Sequence, residues 1–331
     1  MGSAIPMPLR PIDDQLIKYL TDAHAIEEQA IAQMRAAPDL AGEPGLAAAF
    51  RAHLEESERH ERLVRERLEA HGASPSKVKD AVMAAGGKGF VLFARSQPDT
   101  TGKLAAHALS YEHLEYASYE LLLRVARRAG DDETAAVAER IRDEEAAMAE
   151  RIEERIDAVV EASLREKDPG DLGKQLVKYL SDAHAIEQQA IQLLSKGEQI
   201  AGDAVLAQLY REHLDETREH ARLVDTLLDA HGGSANAIKD AAMRLGALNW
   251  GGFFAAQPDT PGKLAAFAHA FEFLEIGGYE QLLEVARRAN ADDVVRSADA
   301  ILVQERAAAR KIAAQFDRAV EASLQATGVA A

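Results

Sequence analysis

One offset governs this chain: again and again, a residue and the residue 160 positions later are the same. QLIKYLTDAHAIEEQAI at residues 15–31 returns as QLVKYLSDAHAIEQQAI at residues 175–191, identical at 14 of 17 positions. The register never slips. HLEESERH at 53–60 pairs with HLDETREH at 213–220, QPDT at 97 with QPDT at 257, and EASL at 161 with EASL at 321. A gapless tandem duplication restricts the chain to two like units, because whatever core one copy builds the other can build too. The copies meet at Lys167-Asp168-Pro169-Gly170-Asp171, where Pro and Gly interrupt a helix and Asp171 can cap the next one. The units are therefore expected to span residues 12–166 and 171–326.

Within each copy the apolar residues recur with the 3.6-residue period of a helix, and strand alternation is absent. In the first copy this predicts four long helices, over residues 14–36, 45–71, 102–129 and 132–164. Gly72 supplies a left-handed terminator for the second. Between the third and fourth stands Gly130, matched by Asn290, the two residue types that best tolerate a left-handed helix end. Residues 71–101 are far too long for the ~2–8 residues that join antiparallel neighbours. They are expected to cross the bundle, carrying a short helix near 76–85, an apolar stretch at 90–93 and an entry turn at Pro98-Asp99. Two helical hairpins joined by one long crossover make a ferritin-like bundle, so the expected fold class is all-α, two such bundles in tandem.

Charge and composition narrow the function. With 38 Lys and Arg against 55 Asp and Glu, the net charge is −17, which disfavours nucleic acid and anionic membrane surfaces alike. No apolar run approaches the ~18 residues of a membrane span and no basic-then-apolar leader opens the sequence, so a cytoplasmic location is expected. Without any cysteine, a metal would have to sit on oxygen and imidazole.

The chemical signal lies where carboxylates interrupt apolar stripes. Glu27 stands midway between Leu20 and Met34 on helix one, and Glu145 falls in the run Ala138, Ile141, Met148, Ile152 on helix four; Glu187 and Glu305 repeat both. Helix two carries His53, Glu56 and His60, repeated as His213, Glu216 and His220, and helix three carries Glu112 and Glu115, repeated as Glu272 and Glu275. The duplication provides two samples of one design, and these residues persist where Glu28, Glu55, His107, His113 and Glu144 drift to Gln188, Asp215, Phe267, Phe273 and Gln304. Carboxylates and imidazoles gathered on a bundle axis must either take up protons or be neutralised by divalent cations. Oxygen-rich ligation with imidazole inside a helical bundle suits iron or manganese. Blander roles fit other residues: His71 and His231 as helix-end residues, Asp22 and His24 as a surface or inter-half contact, Glu120 and Glu280 as solvated or ion-paired.

The motifs H-x-x-E-[ST]-x-x-H at 53–60 and 213–220, and E-x-x-E-x-x-x-Y at 112–119 and 272–279, resemble bacterial ferritin-like proteins of the stress-associated YciE/YciF type. The resemblance covers each half nearly end to end and implies a di-metal carboxylate bundle. It makes Glu27 a terminal ligand, Glu56 and Glu145 bridges, and Glu112 and Glu115 ligands of the other metal, with His60 or His53 adding nitrogen. Better-known di-iron relatives carry Glu-x-x-His on helices two and four, whereas Met148 and Ala308 stand three residues after Glu145 and Glu305. The expected function is a protein that holds iron or manganese and reacts with oxygen or peroxide, or handles iron, in stress. The alternative is a non-catalytic stress or interaction module, and assembly into homo-oligomers is left open. Tyr111, His113, Tyr116 and Glu144 face Phe271, Phe273, Ile276 and Gln304 across the repeat, which predicts a more polar first site.

Overall fold

Helix caps and a repeated apolar stripe set the architecture. The computed structural model describes residues 11–77, 100–165, 169–234 and 259–329, and every regular element among them is helical. The first half contains α1 (Pro11–Met34), α2 (Ala37–Leu40), α3 (Pro44–Ala70), α4 (Thr100–Ala129), α5 (Asp132–Glu153) and α6 (Ile156–Leu164). A 3-10 turn at Pro169–Asp171 leads into α7 (Leu172–Ile200), α8 (Ala204–Ala230), α9 (Thr260–Arg288), α10 (Asp292–Ala313) and α11 (Phe316–Ala326). The elements expected at residues 76–99 fall, beyond Lys77, outside the described residues.

Local chemistry accounts for most boundaries. Glu43 caps α3 by accepting from the Gly45 and Leu46 amides, and Asp203 caps α8 through Val205 and Leu206. Gly72 and Gly232 end those helices at φ 68° and 75°, and the α4–α5 and α9–α10 turns place Gly130 and Asn290 at φ 74° and 56°. Asp171 occupies the cap position of α7, but its carboxylate holds Lys174 instead of a backbone amide. Pro38 separates α1 from the short α2, whereas the matching Glu198 lets α7 run on to Ile200.

The fourth helix departs from expectation. It breaks at Glu154-Arg155 and again at Ala314-Gln315, where neither Pro nor Gly stands. Packing supplies the reason: α6 and α11 each turn to lie on both α4 and α9.

In the first half α1 and α5 each pack on α3 and α4, closing a four-helix bundle that α7, α8, α9 and α10 repeat. The bundles join along α4 and α9. Repeat counterparts touch there: Ser110 Oγ donates to the Ala270 carbonyl at 2.7 Å, and the His113 ring stacks on Phe273. Lys103 pairs with Asp182 and Lys263 with Asp22, both at 2.9 Å, one contact made twice. Such reciprocity is the mark of a two-fold axis between self-complementary patches. One apolar core runs through the seam, including Leu121 and Leu122 of one half with Phe271 and Phe316 of the other. No helix among the described residues is long and apolar enough to cross a membrane.

Candidate metal centre

Each half brings six of its expected site residues to one buried place. Helix α1 supplies Glu27, α3 supplies His53 and His60, α4 supplies Glu112 and Glu115, and α5 supplies Glu145, all at 0% exposure. His53 Nε2 lies 3.0 Å from Glu112 Oε2 and 3.3 Å from Glu145 Oε2, while His60 Nδ1 lies 2.8 Å from Glu145 Oε1 and 3.7 Å from Glu27 Oε1. The second half repeats this. His213 Nε2 is 2.8 Å from Glu272 Oε2 and 3.6 Å from Glu305 Oε2, and His220 Nδ1 is 2.8 Å from Glu305 Oε1 and 3.8 Å from Glu187 Oε1.

Despite these short approaches, both oxygens of Glu112, Glu115 and Glu145, Glu27 Oε2, His53 Nε2 and His60 Nδ1 have no hydrogen-bond partner. Buried polar atoms of native proteins are rarely left so, and each orphan is costly. The donor atoms form two groups with mutual separations within 4.8 Å: His53, Glu112, Glu115 and Glu145 in one, Glu27, His60 and Glu145 in the other. Glu145 belongs to both. The same two groups recur as His213, Glu272, Glu275 and Glu305, and Glu187, His220 and Glu305. This donor set fits divalent metal: two such cations would balance the four carboxylates of one half and leave both imidazoles neutral.

The electrostatics agree. Burial pushes Glu27 and Glu187 up to about 8, and Glu112 and Glu272 up to about 7, against the nearby imidazoles. Burial and the surrounding carboxylates push Glu115 and Glu275 well above the usual range. Burial opposes the imidazolium of His60 and His220, yet Glu145 and Glu27, or Glu305 and Glu187, outweigh it and raise both to about 9. A proton-loaded carboxylate and imidazole cluster is what such groups become when no cation balances them.

Glu56 and Glu216 do not join the cluster, contrary to the bridging role expected for Glu56. At about 100° per residue, His53 and His60 fall within about 20° of each other, whereas Glu56 lies about 60° away at the rim. Its Oε2 accepts from His53 Nδ1 at 3.0 Å and from Arg151 Nη2 at 2.9 Å, and Glu216 accepts from His213 Nδ1 at 3.1 Å. Partly buried though it is, Glu56 is held by His53 and Arg151 at a pKa of about 2. Accepting at Nδ1 fixes the tautomer and aims Nε2 inward.

Two groups outside the expected ligand set support the cluster. Tyr119 and Tyr279 donate their hydroxyls to Glu27 Oε1 and Glu187 Oε1, each at 2.5 Å. Glu144, set aside because it drifts to Gln304, accepts from His60 Nε2 at 2.7 Å, and Gln304 accepts from His220 Nε2 at 2.5 Å. The available signal was chemical: Gln keeps the acceptor oxygen of Glu. Other residues lie outside the cluster. His71 and His231 meet Asp131 and Asp293, His24 meets Glu61, Asp22 spans the halves, and His113 and Tyr116 belong to the seam. Glu120 and Glu280 are ion-paired, to Arg142 and Arg306, yet largely buried instead of solvated.

Residues 12–165 and 171–325 each match the profile of one family, described as a domain of unknown function, DUF892. No solved structure matches the chain.

Proposed function

The chain belongs to the DUF892 family, once in each half, and on that premise we propose that it is a YciF-like protein with a dinuclear iron or manganese centre in each bundle, which reacts with oxygen or peroxide under stress in the cytoplasm. The observation that carries this reading is the shared carboxylate. Glu145, and Glu305 after it, each stand between two donor groups with both oxygens free of hydrogen bonds.

Iron or manganese held there would supply one-electron chemistry towards oxygen or peroxide. The rest is the work of the chain. Glu112 and Glu115 bring charge to the group that contains His53, and Glu27 brings it to the group that contains His60. Where Met148 offers no imidazole on α5, His53 of α3 brings one to the group with Glu112, Glu115 and Glu145. Glu56 and Glu144 accept the outward protons of His53 and His60, so that each ring presents its other nitrogen inward. Tyr119 holds one oxygen of Glu27 and leaves the other available.

The test compares the protein with E145Q/E305Q, a change that keeps side-chain shape and removes the shared charge. Elemental analysis after purification without added metal, then anaerobic Fe(II) loading and addition of peroxide, gives both readouts. The expected result is iron or manganese in the parent, rapid ferrous oxidation, and loss of both in the variant. Equal metal content in the two proteins would refute the assignment and favour a non-catalytic module.

A further inference from the structure

The two centres share their inward-facing residues but not their support. Of the four polar positions that distinguish the halves near the site, His113 and Tyr116 pack at the seam. Tyr111, matched by Phe271, spends its hydroxyl on the Ile26 carbonyl at 2.9 Å. Only Glu144 touches a group of the centre. Its Oε2 accepts from His60 Nε2 at 2.7 Å, and Arg59 and Arg140, each at 3.0 Å, hold the carboxylate in place. In the second half Gln304 accepts from His220, and Glu219 and Ala300 stand where the arginines were. Position and hydrogen bond are retained, while the charge is lost.

We infer that Glu144 is a positioning residue which makes His60 a stronger donor than His220, so that the centre of the first half holds divalent metal more tightly than that of the second. A hydrogen bond to an ionised acceptor is roughly twice as strong as one to a neutral acceptor. Drawing the Nε2 proton outward enriches Nδ1, the nitrogen that faces Glu145 and Glu27. Arg59 and Arg140 reach solvent, with side chains 39% and 57% accessible, so water screens their opposing charge more than it screens the contact with the buried ring. The inference rests on the metal-centre reading above.

Two single-centre proteins test it: E272Q/E275Q retains the first centre, and E112Q/E115Q retains the second. Mn(II) is titrated into each by calorimetry, and thermal unfolding is followed with and without Mn(II). In the first-centre protein, E144Q is expected to weaken Mn(II) about 10- to 100-fold, with E144D recovering part of the loss. In the second-centre protein, Q304E is expected to tighten it, a gain that damage to the fold cannot produce. Unchanged affinity on both substitutions, or tighter binding by the unsubstituted second centre, overturns the inference while leaving the centres themselves in place. If neither the single-centre proteins nor the parent takes up Mn(II) or Fe(II), the metal-centre reading fails and the inference falls with it.

Discussion

Glu115 shows at single-residue scale what these bundles give up in stability. Both of its oxygens are buried without a partner, among three other carboxylates, as are those of Glu275. Replacing both with Gln removes the charge conflict at similar volume, so E115Q/E275Q is expected to melt higher than the parent in chelator at pH 8. A gain of a few degrees is expected, at about 2–4 °C per kcal/mol for domains of this size. Added Mn(II) should stabilise the variant less than the parent, and thermal scans with and without Mn(II) check both. The same groups set the pH dependence. Folding raises Glu27 and Glu187 to about 8 and Glu112 and Glu272 to about 7, so the folded chain keeps protons that the unfolded chain has released, and stability falls as pH rises through that range. His60 and His220, raised to about 9, contribute fully below the ordinary histidine pKa and lose that contribution as pH rises through 9. His107 and the buried His269, lowered by desolvation to about 4, act oppositely, but their gain is complete once the pH passes the ordinary value of about 6.5. Metal-free protein should therefore melt lower at pH 9 than at pH 6.5, and scans in chelator showing the reverse would contradict this. The inward carboxylates were legible in sequence because a charge set on an apolar stripe is costly, and its return 160 residues later means the cost was kept twice. Glu56 was misplaced because a three-residue step was read as the same face. Glu144 was read as a polar residue near the first site but not as a position shared by both, because a change of identity hid a retained oxygen.

Among the elements, α4 and α9 carry the join, and their closeness depends on small residues. A Cβ built on Gly277 would lie 3.2 Å from Ala106 Cα and 3.4 Å from its Cβ, whereas one on Gly173 in α7 meets nothing within 4 Å. Gly to Ala in a helix ordinarily stabilises by up to about 1 kcal/mol. Gly173→Ala is expected to gain part of that, and Gly277→Ala to lose stability because the contact is with backbone of the other half. Denaturant unfolding of the two variants measures the contrast, and equal gains would mean the seam is looser than these distances imply. Helix starts and ends were largely readable from Gly72, Gly130 and the repeat itself. The breaks at Glu154-Arg155 and Ala314-Gln315 were not, because nothing local causes them: they serve the reach of α6 and α11 across the seam.

For the molecule as a whole, the duplication behaves as a dimer written into one chain. Lys103 with Asp182 and Lys263 with Asp22 are the same pair made twice, so a lone first half presents both Lys103 and Asp22 to a second copy of itself. Residues 11–168 produced alone are expected to associate in pairs through α4, which light scattering on a sizing column would report; a stable folded monomer would speak against the seam. That two like units exist was plain from the constant offset, whereas which faces they join was not, since the meeting of Ser110 with Ala270 is a property of the assembled core. The central claim is that each half encloses a metal centre organised around one shared carboxylate. Anomalous X-ray scattering at the manganese or iron edge, on crystals of protein loaded with that metal, tests it most directly. Two peaks are predicted in each half, both beside Glu145 in the first and both beside Glu305 in the second. Peaks confined to surface acids such as Glu133, with none inside either bundle, would contradict it.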